Sequence, residues 1–99
     1  MASYYPIIWT EEAIRNLEAI LDYLQNRWTQ REVDNFKKRL SRLLHLISAN
    51  PKLFPKSEIQ PRLRKAVLSR QTIIFYEFKN EKAYLVYLFG SSQNPEIIK

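Results

Sequence analysis

Trp28-Thr29-Gln30-Arg31-Glu32-Val33 decides how this chain folds. Thr29, followed three residues later by Glu32, is the pattern of a capping box. A helix that starts there needs an oxygen for its first unbonded amides, and a threonine hydroxyl supplies one. Just upstream, Ala13, Leu17, Ile20, Leu21, Leu24 and Trp28 recur at helical spacing and share one face. One helix therefore ends almost where the next begins. So short a link folds the two into an antiparallel hairpin. Each helix has its own apolar face, and two helices alone cannot cover both. A sheet must complete the core.

Working outward, Thr10 is suited to cap the first helix, and Glu11 and Glu12 suit the positive end of its dipole. Trp9 and Ile14 stand at staple positions around that cap. The spacing predicts a first helix over residues 11–27. The second carries Val33, Phe36, Leu40, Leu43, Leu44 and Ile47 on one face. Asn50-Pro51 ends it, because a residue before proline is pushed out of the helical region. Before the hairpin, residues 3–9 are β-branched and aromatic and read as a strand. Pro6 cannot donate a ladder bond, so it belongs at an edge or at a strand start. After it, Pro51, Pro55 and Pro61 mark a loop, with Leu53 and Phe54 expected to tuck into the core. Strands are expected at 63–69, 72–78 and 83–89, joined by turns at Ser69-Arg70-Gln71 and Lys79-Asn80-Glu81-Lys82. A short helix is expected after Pro95. The expected fold is a single α+β domain over residues 1–99. Its N-terminal strand and helical hairpin precede a three-stranded antiparallel meander, in the order β-α-α-β-β-β.

Composition narrows the chemistry. The single glycine cannot build a Gly-rich phosphate loop, and the absence of cysteine excludes disulfides and thiolate metal sites. The N-terminus lacks a basic region followed by an apolar stretch, and no apolar run approaches the ~20 residues that span a bilayer. A cytoplasmic protein without membrane contact, metal or other cofactor is the expectation. The net charge is +6. Residues 1–51 hold seven Lys/Arg and six Asp/Glu, and residues 71–99 hold three of each. Residues 52–70 hold Lys52, Lys56, Arg62, Arg64, Lys65 and Arg70 against Glu58 alone. A segment so biased attracts an anionic partner.

His45, the only histidine, lies opposite the apolar stripe of its helix and reads as a surface residue. Glu11/Glu12 and Glu18/Asp22 read as a hydrated helix surface. The basic segment is more informative. Alternation puts Arg62 and Arg64 on one strand face with Ala66 and Leu68, and Lys65 on the other with Leu63 and Val67. Neither face is cleanly polar, so periodicity does not say which is wet. Arginine forks suit phosphates and carboxylates alike. Phe75, Tyr76, Phe78, Tyr84, Tyr87 and Phe89 follow on the next two strands. They read chiefly as core, with Tyr76 and Tyr87 expected to keep free hydroxyls.

Several stretches, in order, resemble the RelE/ParE toxin superfamily, and its ParE-like plasmid-stabilisation branch in particular. They are Trp9-Thr10-Glu11-Glu12-Ala13, Phe36 with Leu40, and Asn50-Pro51-Lys52-Leu53-Phe54-Pro55. Arg64-Lys65-Ala66-Val67-Leu68, Ile74-Phe75-Tyr76-Glu77 and Gln93-Asn94-Pro95 follow. The resemblance implies a toxin held in check by a cognate acidic antitoxin, as a homodimer or a toxin–antitoxin hetero-oligomer. Members of the RelE branch cut mRNA on the ribosome with Lys, Arg and Tyr side chains and no metal. Members of the ParE branch poison DNA gyrase. Thr72-Ile73-Ile74-Phe75-Tyr76 lacks the arginine that nuclease members usually carry before the matching tyrosine. Ser92 stands where ParE-like proteins typically have arginine. The resemblance thus implies target binding through Lys52, Lys56, Arg62, Arg64, Lys65, Arg70, Gln93 and Asn94. Its nuclease alternative implies catalysis by Arg64, Lys65, Tyr76 and Tyr87. A third alternative is an inactive relative that retains antitoxin binding.

Overall fold

The computed structural model describes residues 4–70 and 72–90. A short strand β1 (Ile7–Trp9) leads into helices α1 (Glu11–Arg27) and α2 (Gln30–Ala49). Strands β2 (Arg64–Ser69), β3 (Thr72–Lys79) and β4 (Lys82–Gly90) follow. Both caps form as the sequence requires. The Thr10 hydroxyl accepts from the Ala13 amide at 3.1 Å, and that of Thr29 from Glu32 at 3.3 Å. Asn50 ends α2 at the residue before proline.

The four strands form one sheet in the order β1-β4-β3-β2. The meander β2-β3-β4 is antiparallel, while β1 joins β4 in parallel. The expected strand 3–9 narrows to Ile7–Trp9 at the sheet edge, and Pro6 just before it uses only its carbonyl, which accepts from the Ala83 amide. The β3–β4 turn has two central residues, Asn80 and Glu81, with φ of 52° and 61°. That left-handed pair matches the twist of the flanking strands.

The helices cover one face of the sheet. Ala13, Ile20 and Leu24 of α1 and Val33, Phe36, Leu40, Leu43 and Ile47 of α2 pack there against Ala66, Ile74, Tyr76, Leu85 and Leu88. Three expectations need correcting. Trp28 caps α1 beyond its packed stripe and is 42% exposed. Leu53 points outward at 53% exposure, and only Phe54 of the pair packs on the core. Leu63 lies before β2 and is fully buried, so it does not share the wet face of Lys65. Gln71, the expected strand start at Ser3 and the expected helix after Pro95 lie outside the described residues.

Candidate functional site

A β-bulge sets the geometry of the sheet's uncovered face. Phe75 pairs with Tyr87, but the next residue, Tyr76, pairs with Leu85, so Val86 is an extra residue in β4. The alternation of β4 shifts by one there. Leu85 and Leu88 both face the helices, whereas Tyr87 and Phe89 turn to the open side. Side chains of α1 take up the backbone groups around the bulge. The Thr10 hydroxyl donates to the carbonyls of Leu85 (2.7 Å) and Val86 (3.1 Å), and the Asn16 amide oxygen accepts from the Leu88 amide (3.0 Å).

Cross-strand pairing then aligns Lys65, Phe75 and Tyr87 in one row on the open face, beside Val67, Ile73 and Phe89 in the next. The rings of Phe75 and Tyr87 stack with centroids 4.7 Å apart. The loop 55–60 folds over this floor and encloses a groove of about 560 Å3. Lys56 and Lys65 stand on its rim with Glu58, and Ile59 at the loop tip is 90% exposed. An apolar, aromatic floor with two lysines at its edge suits a partner that buries a flat or apolar group and carries negative charge.

The basic segment does not stay together. Lys52, Lys56 and Lys65 are exposed. Arg62 turns to Glu77 at 3.1 Å, which Lys79 also approaches at 3.8 Å. Arg64 and Arg62 therefore part company, contrary to the simple alternation. Arg64 turns inward and donates to the carbonyls of Phe54 (2.7 Å) and Lys52 (3.5 Å). Arg70 leaves the group altogether and lies at the far end of β2 near Arg39 of α2.

Tyr76 corrects a second expectation: its hydroxyl is not free. The side chain is fully buried and donates to the Pro51 carbonyl at 2.6 Å, with Phe54 edge-on at 6.4 Å. Burial pushes its phenol up to about 12, against the partial relief of the nearby Arg64 charge. Arg64, Lys65, Tyr76 and Tyr87 thus fall into two pairs on opposite sides of the sheet. Arg64 and Tyr76 tie down the proline loop from the helix side, while Lys65 and Tyr87 line the open groove. Gln93 and Asn94 lie outside the described residues.

Sequence reasoning missed the arginines of α2. Residues 30–49 hold Arg31, Lys37, Lys38, Arg39 and Arg42 against Glu32 and Asp34 alone. The signal was present but was cancelled by the acids of α1 when both helices were counted together. His45 is exposed as expected, with its Nε2 3.4 Å from the Tyr4 hydroxyl.

A half-open α+β sandwich, two helices on one face of a four-stranded mixed sheet, defines the class: a small domain of RelE/ParE-like fold. The family model for the ParE toxin of type II toxin–antitoxin systems matches residues 7–95, and the chain belongs to that family. The chromosomal ParDE system of P. aeruginosa is similar in structure, with a TM-score of 0.72 and 16% identity over 88% of this chain and 96% of that one. The E. coli DinJ–YafQ toxin–antitoxin complex matches at 0.55 with 15% identity, covering 92% and 97%. The free E. coli toxin RelE, as a double arginine-to-alanine mutant, matches at 0.52 with 17% identity, covering 96% and 90%. No curated protein matches the sequence. Among the described residues, no helix is long and apolar enough to cross a membrane.

Proposed function

We propose that this ParE-type toxin arrests growth by binding a cellular target, DNA gyrase, in the cytoplasm, and that a cognate acidic antitoxin neutralises it. The observation that carries this reading is the division of Arg64, Lys65, Tyr76 and Tyr87 across the sheet. A cleavage site needs its acid, base and phosphate stabiliser within hydrogen-bond reach of one phosphodiester. Tyr76 is bonded to Pro51 and Arg64 to Phe54, so neither reaches the open groove. Among the described residues, what lines the groove is Lys56, Lys65 and Glu58 over an aromatic floor, which suits a docking surface.

Induced expression without the antitoxin tests it. Growth arrest with filamentation, and loss of gyrase supercoiling by the purified protein, are expected. Lys56→Glu/Lys65→Glu should abolish the arrest without lowering the melting temperature, since both side chains are exposed. Normal supercoiling in excess protein would remove gyrase as the target.

A second reading is a metal-independent, ribosome-dependent mRNA endoribonuclease. The likeness to YafQ and RelE favours it, as does the presence of Lys65 and Tyr87 in one groove. It requires codon-positioned mRNA cuts in a translating extract, lost in Lys65→Ala. Intact mRNA with the parent protein sinks it. Antitoxin binding without any growth arrest would mark an inactive relative instead.

A further inference from the structure

The two helices turn an outer face to solvent, away from the sheet. On α1 the buried residues are Ala13, Ile20 and Leu24, and Glu11, Glu18 and Asp22 lie on the opposite side, seven and then four residues apart. On α2 the buried residues are Val33, Phe36, Leu40, Leu43 and Ile47, and Arg31, Lys38 and Arg42 lie opposite, again seven and then four apart. All six side chains are exposed. The outer face thus carries an acidic stripe and a basic stripe of the same spacing. Arg15 interrupts the first, but Glu11 and Glu12 of its own helix take it up at 3.9 and 3.1 Å. Asp34 lies beside the second and accepts from the Gln30 amide at 2.9 Å. Among the described residues, Glu18, Asp22, Arg31, Lys38 and Arg42 make no ion pair.

The helices run antiparallel from the Trp28–Thr29 turn, so heights along them can be compared by counting from it. Glu18 stands ten residues before Trp28, and Lys38 nine after Thr29. Glu11 stands seventeen before and Arg42 thirteen after, while Asp22 stands six before and Arg31 two after. The first pair is level. The other two are each offset by four residues, about 6 Å at the helical rise, which the long stem of an arginine spans.

We propose that this outer helical face pairs with the same face of a second copy of the chain, about a two-fold axis parallel to the helices. That axis lays α1 of each copy on α2 of the other and keeps every height unchanged, so the acidic stripe meets the basic one twice over. Charge selects the axis, because a two-fold perpendicular to the helices would set acids on acids and bases on bases. It also selects the occupant. A nucleic acid or an acidic polypeptide engages only Arg31, Lys38 and Arg42, and the carboxylates of α1 alongside repel it. A second copy uses both stripes. The net charge of +6 acts between distant centres and is screened at ordinary ionic strength, whereas the facing pairs are in contact. Exposed ion pairs are individually weak, so the dimer is a weak and salt-sensitive one. Its interface lies across the sheet from the groove of Lys56 and Lys65. Both grooves stay open and point apart, which makes the dimer bivalent for whatever the groove binds.

Analytical ultracentrifugation of the purified full chain tests this. The parent should form dimers in about 50 mM salt and dissociate in about 500 mM. Glu18→Lys alone, or Lys38→Glu alone, sets like charges against each other at the level pair and should weaken dimerisation by about tenfold or more. Lys82→Glu, an exposed change on the β3–β4 turn, should dimerise as the parent does. The decisive arm mixes the two single variants. Each is monomeric alone, but in a mixed pair both facing positions again carry opposite charges, so a heterodimer should form. The double variant Glu18→Lys/Lys38→Glu should likewise recover the homodimer. A variant that merely folded badly would recover in neither arm, and thermal melts of each chain check folding directly. A parent that stays monomeric at low salt overturns the proposal, as does a dimer indifferent to both single changes. Loss without recovery on mixing overturns the pairing of α1 with α2. If Lys38→Glu instead loses affinity for a DNA duplex and no dimer is seen, the basic stripe serves nucleic acid and the proposal fails.

Discussion

Tyr76 and Arg64 show how one residue's role turns on where its polar atom finds a partner. Both belong to stretches that read as working surface, and both spend their hydrogen bonds on the proline loop. Tyr76→Phe removes one buried hydrogen bond and leaves the Pro51 carbonyl without its donor, a loss of about 1 kcal/mol in unfolding free energy. Urea denaturation should show a lower midpoint at unchanged slope. The folded-state phenol sits at about 12 against an ordinary 10.0, so the fold favours the neutral form. Its contribution is whole below pH ~10 and is lost as pH rises through ~12. The diagnostic is the difference between the two proteins: parent and Tyr76→Phe should converge in stability as pH rises. Arg64→Ala should cost about 2 kcal/mol through the loop carbonyls it abandons. Growth arrest at a temperature where that variant stays folded would separate loop anchoring from direct target contact.

At the level of elements, the junction between α1 and β4 positions the open face. Thr10 caps α1 and also holds the carbonyls of Leu85 and Val86 at the bulge, so one side chain links helix start to strand. Among the described residues, the Thr29 hydroxyl makes only its cap. Thr29→Ala should therefore cost about 1 kcal/mol, the ordinary value of an N-cap. Thr10→Ala should cost more, since it also strips partners from β4, and paired thermal melts would rank the two. Asn16→Ala leaves the Leu88 amide unpaired beside the bulge, at about 1–3 kcal/mol. The β3–β4 turn offers the opposite sign. Glu81 holds a left-handed φ of 61° that costs a residue with a Cβ roughly 1 kcal/mol. Glu81→Gly should raise the melting temperature, because glycine takes that conformation without strain.

Across the whole molecule, helices close one side of the sheet and leave the other to a loop flap and a row of aromatics. That asymmetry gives two separate basic regions, one on the open face and one along α2. The hairpin, the caps, the loop and the three meander strands were legible from the chain because each depends on local chemistry: spacing, cap oxygens, prolines and turn residues. Arg64 and Tyr76 were not, since one-residue alternation cannot say which face of a strand a helix will cover. Nor was the orientation of Tyr87, which depends on a single extra residue in β4.

The sequence by itself determined the elements and their order, the need for a sheet beneath two one-faced helices, and the excess of positive charge after Asn50. It determined these because they follow from neighbours within a few residues. The tertiary structure alone decided that β1 would add in parallel at the edge and that the bulge would turn Tyr87 outward. It also decided that the basic segment would be split, with Lys56 and Lys65 at one surface, Arg64 within the fold and Arg70 beside the arginines of α2. Those outcomes depend on pairing between residues tens of positions apart, where backbone hydrogen bonds and burial compete across the whole sheet. No local pattern encodes their result.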